Sequence, residues 1–280
     1  MSRLSVHAVK ISVVIAVLNR RESLQRCLDS VIAQTYRDIE LIVVDGGSDD
    51  GSVAVIEANA EHIAYWESEP DRGIAHAWNK ALEHCSGDWV CFLGADDYLY
   101  NADVMQKVVE TLRCVPVGCR VTYGSVALSN EQGVMYARAG RPWGTARRQL
   151  YTHMGLPHAG VFHHKSLFDD RGKFDESYRI ALDYEFLLRE LTEREAEFIP
   201  DVIIAVMSAG GISTKPENVL ENLNEKRRAQ RRNGIIVPRP YWYWLYAKGL
   251  VKLTLFRVLG AGGMMAAING YRRVTGRMPR

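Results

Sequence analysis

Trp89-Val-Cys-Phe-Leu-Gly-Ala-Asp96-Asp97 is a short apolar run closed by two adjacent carboxylates. Trp89 to Leu93 reads as a buried strand, with Gly87 before it and Gly94 after it. The carboxyl end of such a strand is where an open α/β sheet places its ligands, in the crevice where strand order reverses. Two neighbouring carboxylates repel each other there unless a cation lies between them and something anionic. That points to a divalent metal on Asp96 and Asp97 holding a phosphorylated substrate. The competing reading is structural: Asp is a favoured N-cap, and the pair would then open a following helix.

Outward from this run the chain alternates strand and helix. Ile11-Ser-Val-Val-Ile-Ala-Val-Leu18 is strand-like, and Glu22 to Gln34 is helical with Leu24, Leu28, Val31 and Ile32 on one side. Glu40 to Val44 is a second strand, closed by Asp45-Gly-Gly-Ser-Asp-Asp-Gly51, and Val53 to Ala60 a second helix. Ile63 to Trp66 is a third strand, and Glu69-Pro-Asp-Arg-Gly73 leads into a helix reaching Cys85. This repetition predicts an α/β fold with a parallel, right-handed, doubly wound sheet. The polar strand ends Asn19-Arg20, Asp45, Asp71-Arg72 and Asp96-Asp97 would then share one carboxyl edge and line one pocket. Gly46, Gly47 and Gly51 allow tight turns, but neither a dinucleotide-type Gly-x-Gly-x-x-Gly nor a P-loop is present. A metal would have to do the work of those phosphate cradles.

Composition narrows the class. A chain of 280 residues, 47% hydrophobic and 24% charged, suits one sizeable core with an appendage. Its five cysteines form no Cys-x-x-Cys pair, so reduced thiols in the cytoplasm are expected. Ile11 to Leu18 is too short for a secretory signal and lacks a cleavage site. The net charge of +2 hides a split: residues 226–280 hold thirteen Lys or Arg and no acid, leaving the first 225 residues at −11.

Four segments in order and spacing then point to a family: Ile11 to Asn19, Glu40-Leu-Ile-Val-Val-Asp-Gly-Gly-Ser48, Glu69-Pro-Asp-Arg-Gly-Ile74 with Trp78-Asn79-Lys80, and Ser86 to Asp97. Together they resemble the inverting GT-A glycosyltransferases of family 2, particularly the bacterial polysaccharide and O-antigen branch, over roughly residues 11–212. The resemblance implies a GT-A fold, with a Rossmann-like nucleotide-binding half at about 10–125 and an acceptor-binding half at about 126–215. It also implies a nucleotide-diphosphate sugar donor, usually a UDP- or dTDP-sugar, with Mg²⁺ or Mn²⁺. By that resemblance Val17 and Asn19 sit beside base and ribose, Asp45 at the same end, and Ala95 against the ribose. Asp71, Arg72 and Asn79 fall in the stretch that packs on the nucleotide, and Asp96 matches the metal-binding second acid of the Asp-x-Asp signature. Two departures stand out: Gly94 replaces the signature's first Asp, and Gly46 replaces a second acid near the base.

An inverting transfer needs one displacement and a base for the acceptor hydroxyl, with no covalent nucleophile. Ile180-Ala-Leu-Asp183-Tyr-Glu-Phe-Leu-Leu188 opens an amphipathic helix. By the resemblance Asp183 is the base, the acid of a Glu-Asp pair whose Glu is Leu182 here. The structural alternative makes Asp183 an N-cap with Glu185 in the first turn. Leu156-Pro-His158-Ala-Gly-Val-Phe162 resembles the segment that lines the acceptor side in that family, which implies that His158 orients the acceptor or reaches the diphosphate, although a lone His is often structural. His163 and His164 read as ordinary strand residues. Gly210-Gly-Ile-Ser213 resembles a segment that closes over the donor.

The stretch 216–280 reads as a separate basic, aromatic-rich helical extension. Lys226-Arg-Arg-Ala-Gln-Arg-Arg232 precedes Pro240-Tyr-Trp-Tyr-Trp-Leu-Tyr246, which fits membrane-surface contact through about 226–260 and a lipid-linked glycan acceptor. That would place the protein peripherally at the inner face of the cytoplasmic membrane. The alternative is a helical pair docked on the body with its aromatics buried. No nucleic-acid module is recognisable. Two other function classes stay open: a nucleotidyltransferase, for which Ala16-Val-Leu-Asn-Arg20 lacks a Gly- and basic-rich phosphate loop, and a non-catalytic nucleotide-sugar binder or membrane scaffold.

Overall fold

A computed structural model describes residues 9–130, 132–208, 211–238 and 240–274. The first half is built as the alternation requires. Strands β1 (Ile11–Val17), β2 (Ile39–Asp45), β3 (Tyr65–Ser68) and β4 (Trp89–Gly94) alternate with helices α1 (Arg21–Ile32), α2 (Ser52–Ala58) and α3 (Ile74–Leu82). The four strands are parallel in the order β3-β2-β1-β4. The chain therefore runs outward from β1 to β3 and returns to β4 on the other side of β1. That reversal opens a crevice between β1 and β4 at their carboxyl ends. Register sets what meets there: Val17 pairs with Asp45, and Ala16 with Gly94, so residues 18–20, 46–48 and 95–97 leave the sheet at one level.

The near-continuous apolar strands are explained by burial on both faces. Ile11, Val13, Ile15 and Val17 pack in one cluster with Leu24 and Leu28 of α1, while Val14, Ile42 and Val44 pack with Trp78 and Ala81 of α3. At the opposite, amino edge, Glu40 accepts hydrogen bonds from Ser12, Ser86 and the Gly87 N–H and pairs with Lys10 at 2.7 Å. Burial opposes its ionisation, but Lys10, Ser12 and Ser86 outweigh that and hold its pKa at about 2. This carboxylate clamps β1, β2 and the approach to β4 and has no open face for chemistry.

Beyond β4 the sheet becomes mixed. Strands β5 (Tyr98–Leu99), β6 (Val121–Ser129), β7 (Met135–Ala139), β8 (Val161–His164) and β9 (Glu197–Ser208) extend the order to β3-β2-β1-β4-β8-β6-β9-β5, with β7 paired to β6. Strand β8 runs antiparallel to β4 and β6, whereas β9 is parallel to β6. Helices α4 (Val104–Leu112), α5 (Trp143–Leu150), α6 (Ser166–Arg171) and α7 (Leu182–Leu191) cover this half, and α8 (Val219–Arg232) and α9 (Pro240–Val274, interrupted at Gly260) follow. His163 and His164 lie in β8 as expected of strand residues.

The end of the chain is helical, as its sequence suggests, and it packs on the body. The compositional boundary at 215 falls just before α8, yet α8 packs on α7 through buried Asn222, Glu225, Ala229 and Gln230. The face of α8 opposite its arginines thus contacts residues 179–181 and Tyr184 through Glu225 and Gln230. In α9, Gly249 approaches Leu220 and Leu223 of α8 and Leu253 is buried, while Tyr241, Tyr243 and Trp244 stay about half exposed. No helix among the described residues is long and apolar enough to cross a membrane. Of the Gly210–Ser213 segment, Gly210 lies outside the described residues, and Ile212 begins a 3-10 turn.

Candidate active site

The turn after β4 is closed by a bond from the Asp97 N–H to the Gly94 carbonyl at 2.9 Å. Strand β5 follows at once and α4 begins only at Val104, so neither Asp96 nor Asp97 caps a helix. A Cβ on Gly94 would lie 2.8 Å from Asp97 Oδ2 and 3.0 Å from Asp96 Oδ1. Both carboxylates therefore lean back over Gly94, and a side chain there would have to displace one of them. This gives a physical reason for glycine where the family pattern has its first acid.

The two carboxylates differ in environment. Asp97 is buried, and its Oδ1 accepts the Ser208 N–H at 2.9 Å. Burial, and then the neighbouring Asp96, push its pKa up to about 7. Asp96 is a third exposed, and among the described residues its carboxylate has only Arg20 Nε opposite it, at 3.8 Å. Two convergent acids, one buried and held against its neighbour's charge, suit a hard divalent cation whose other ligands come from phosphate oxygens and water. Among the described residues no group of three or more His, Cys, Asp or Glu is placed to hold a metal, so the chain supplies two carboxylates at most at this point.

The loops after β1 and β2 interlock beside this turn. Asn19 has a left-handed backbone (φ 52°), which Asn tolerates. Its Oδ1 accepts the Asp49 N–H at 3.0 Å, and its own N–H reaches Ser48 Oγ at 2.8 Å. Asp45, fully buried, accepts bonds from the N–H groups of Gly47 and Ser48 and from the hydroxyls of Ser48 and Ser68. Val17 turns its side chain into the core, and its carbonyl accepts the Gly46 N–H at 2.8 Å. Ala95 is buried and held through its carbonyl by Ser23 Oγ at 2.9 Å. These four shape the crevice wall; Asn19 is exposed, whereas Val17, Asp45 and Ala95 extend no free polar side chain into it.

Asp71 does. A Cβ on Gly46 would stand 2.4 Å from Asp71 Oδ2, so the Asp71 carboxylate occupies the space a side chain at 46 would need. The acid missing at 46 is thus replaced in space by one arriving from the β3 end. Arg72 and Asn79 go elsewhere. Arg72 pairs with Glu176 at 2.7 Å, and buried Asn79 exchanges bonds with the Phe174 backbone, both at 2.9 Å. They anchor the segment 174–181 to α3, leaving Asn79 no free group toward a nucleotide.

That segment leads to the base candidate. Asp183 lies in the first turn of α7, whose N-cap is Ala181, and its Oδ1 accepts the Tyr184 N–H at 2.7 Å. Burial raises its pKa; the Tyr184 N–H and then Lys226 of α8 oppose that. Lys226 is itself lowered by burial, with Asp183 opposing. No hydrogen bond or ion pair joins Asp183 to the Asp96–Asp97 turn among the described residues. His158 lies on the Trp78 ring, centroids 4.9 Å apart, and burial lowers its pKa to about 3, so it is a neutral, stacked ring. Its Nε2 has no partner among the described residues.

Two residues that the sequence did not single out hold α7 in place. Glu225 accepts the N–H groups of Arg179, Ile180 and Ala181, each at 2.8 Å. At the other end, buried Glu190 receives Arg120 Nη2 at 2.6 Å and Arg171 Nε at 2.9 Å. Glu225→Ala would leave three N–H groups without their acceptor, and is expected to cost about 1–3 kcal/mol. At constant activity per folded molecule this appears as a fall of several degrees in Tm; an unchanged Tm would show the clamp to be idle. No local sequence signal marks either role, because the partners of Glu225 and Glu190 lie 44–46 and 19–70 residues away.

The family described as Glycosyl transferase family 2 matches residues 12–169. An uncharacterized glycosyltransferase of Mycobacterium tuberculosis, MT1564, is 35% identical over 228 residues, 80% of this chain and 86% of that one. A PGL/p-HBAD biosynthesis glycosyltransferase of Mycobacterium bovis is 27% identical over 253 residues, covering 87% and 95%. Among solved structures, mannosyltransferase PcManGT from Pyrobaculum calidifontis, in complex with GDP-Man and Mn²⁺, superposes with a TM-score of 0.64 at 18% identity, covering 98% of this chain and 82% of that one. S. aureus TarS 1-349 in complex with UDP-GlcNAc gives 0.63 at 17%, covering 94% and 77%. The chain spans 45% of the longer TarS chain, at a TM-score of 0.62 and 17% identity. The fold is that of the GT-A glycosyltransferases. The chain belongs to glycosyl transferase family 2 and is a glycosyltransferase.

Proposed function

We propose that this enzyme transfers a sugar, with inversion, from a nucleotide-diphosphate sugar to a hydroxyl of a lipid-linked glycan in cell-surface polysaccharide assembly. The observation that carries the donor part is the convergence of Asp96 and Asp97 over Gly94 at the switch-point edge. The relatives' names support it: TarS is described with UDP-GlcNAc and PcManGT with GDP-Man and Mn²⁺. Asp96 and Asp97 would hold Mg²⁺ or Mn²⁺, which supplies charge neutralisation for the departing diphosphate. The loop walls of Asn19, Asp45 and Ala95 shape the base and ribose side, and Asp71 presents its carboxylate there. UDP- or dTDP-sugars are the favoured donors.

On the acceptor side Asp183 takes the hydroxyl proton as the new bond forms, and burial raises its affinity for that proton. His158, neutral and stacked on Trp78 with a buried Nε2, would serve the acceptor side by shaping its wall. The half-exposed aromatics of α9, beside the basic α8, suit contact with a membrane surface at its cytoplasmic face. The test of the donor reading is hydrolysis of a panel of UDP-, dTDP- and GDP-sugars with Mn²⁺ or with EDTA. Slow release of one nucleotide diphosphate in Mn²⁺ only is expected. No release from any sugar, with no calorimetric binding of any nucleotide diphosphate, would reject it.

A further inference from the structure

Helix α8 turns a second face away from α7. Asn224, Arg227, Arg228 and Arg231 follow each other at helical spacing of three and four residues and so share one side. With Arg232, and with Trp242 from the start of α9, they line a cavity of about 430 Å³. Within it the buried Nε–H groups of Arg227 and Arg228 and the Nε1–H of Trp242 have no acceptor among the described residues. Arg227 is only 5% exposed, and its remaining donors go to Gln230 and to the carbonyls of Ile235 and Ile236. Arg228 donates to the Ser177 carbonyl and lies over the Tyr178 ring. Among the described residues only Arg232 of the four arginines has a carboxylate partner, Asp175.

Such a wall is costly as it stands. Buried N–H groups without acceptors cost about 1–3 kcal/mol each, and several like charges share one small volume. Burial first, and then Arg231, lower the pKa of Arg227, with Tyr243 and Tyr184 opposing. What removes all three penalties at once is an anion with several acceptor oxygens and a shape matched to guanidinium forks.

We propose that the cavity formed by Arg227, Arg228, Arg231 and Trp242 is a binding site for a phosphate or diphosphate group, separate from the donor site at Asp96 and Asp97. The guanidinium forks take the phosphate oxygens, and the Trp242 N–H supplies a further donor. Two sources share this chemistry: a phosphate group free in solution, and the phosphate of a lipid headgroup reached through the exposed aromatic face of α9. The site needs no divalent cation, and the proposal does not depend on which sugar is transferred, or on transfer itself.

The experiment is calorimetric titration of the full chain with inorganic pyrophosphate in EDTA, together with flotation on phosphatidylcholine vesicles with and without phosphatidylglycerol. Arg231→Gln, at an exposed position with no ion pair to lose among the described residues, and Arg228→Gln/Arg231→Gln are compared with Asp96→Ala. Binding of one pyrophosphate, weakened about tenfold or more in the arginine variants and unchanged in Asp96→Ala, establishes the site for soluble phosphates. No pyrophosphate binding, but retention on phosphatidylglycerol vesicles that the arginine variants lose, establishes it for headgroups. If the wild type and Arg231→Gln, with equal Tm, behave alike in both assays, the proposal is overturned.

Discussion

Asp183→Asn is expected to lower kcat by about 10²–10⁴-fold, the range a positioned general base supplies, with donor binding and Tm close to those of the unaltered chain. The substitution is nearly isosteric. The amide oxygen of Asn still accepts the Tyr184 N–H that Asp183 Oδ1 now receives at 2.7 Å, so the start of α7 keeps its bond. What is lost is the ability to accept a proton. The pH profile provides an independent check. The base works as the carboxylate, so kcat should fall as pH drops through its pKa. Because burial raises that pKa, the acid limb should lie above the ordinary carboxylate range. Lys226 opposes the rise, so Lys226→Met should move the limb to still higher pH. A profile flat through the acid range, or an Asp183→Asn variant within a fewfold of normal turnover, would remove Asp183 from the mechanism.

Asp96→Ala is expected to abolish the difference between Mn²⁺ and EDTA in donor turnover, a loss of about a hundredfold or more if the cation contributes several kcal/mol. Asp96 is the right position to change. Its carboxylate is partly exposed and faces Arg20 only at 3.8 Å, so little structure depends on it. Asp97 is buried and bonded to the Ser208 N–H, so changing it would confound site and fold. Removing Asp96 also takes away a charge that repels Asp97, so Tm should hold or rise. Calorimetry of UDP with and without Mn²⁺ reads the same point directly. Persistent metal dependence in Asp96→Ala would assign the cation to other residues.

The donor half was legible because its signals are local. Continuous apolar runs and period-3.6 apolar patterns, closed by polar residues and glycines, are written within a dozen residues each, and parallel pairing follows from the helices between them. The edge on which Asn19, Asp45, Asp71 and Asp96 would gather could be read from that topology alone. How each side chain is used could not. Asp45 spends its carboxylate on its own loop and Asn79 on the Phe174 backbone, while Asp71 fills the space over Gly46; those outcomes depend on partners up to 95 residues away. The basic charge of residues 226–232 suggested a tail. The other face of that helix is buried against α7, with Glu225 on the N–H groups of 179–181, contacts that the run of charges did not announce.

By itself, then, the amino-acid order determined the strand and helix succession, the polar sheet edge and the two acids at 96 and 97. Tertiary structure decided why glycine stands at 94 and 46, which of the two acids is buried, what steadies the helix of Asp183, and where the unpaired arginines lie. The physical reason is the reach of the forces involved. Backbone propensity and amphipathic patterning act between near neighbours in the chain, whereas steric room, desolvation and charge pairing depend on atoms that folding alone brings into contact.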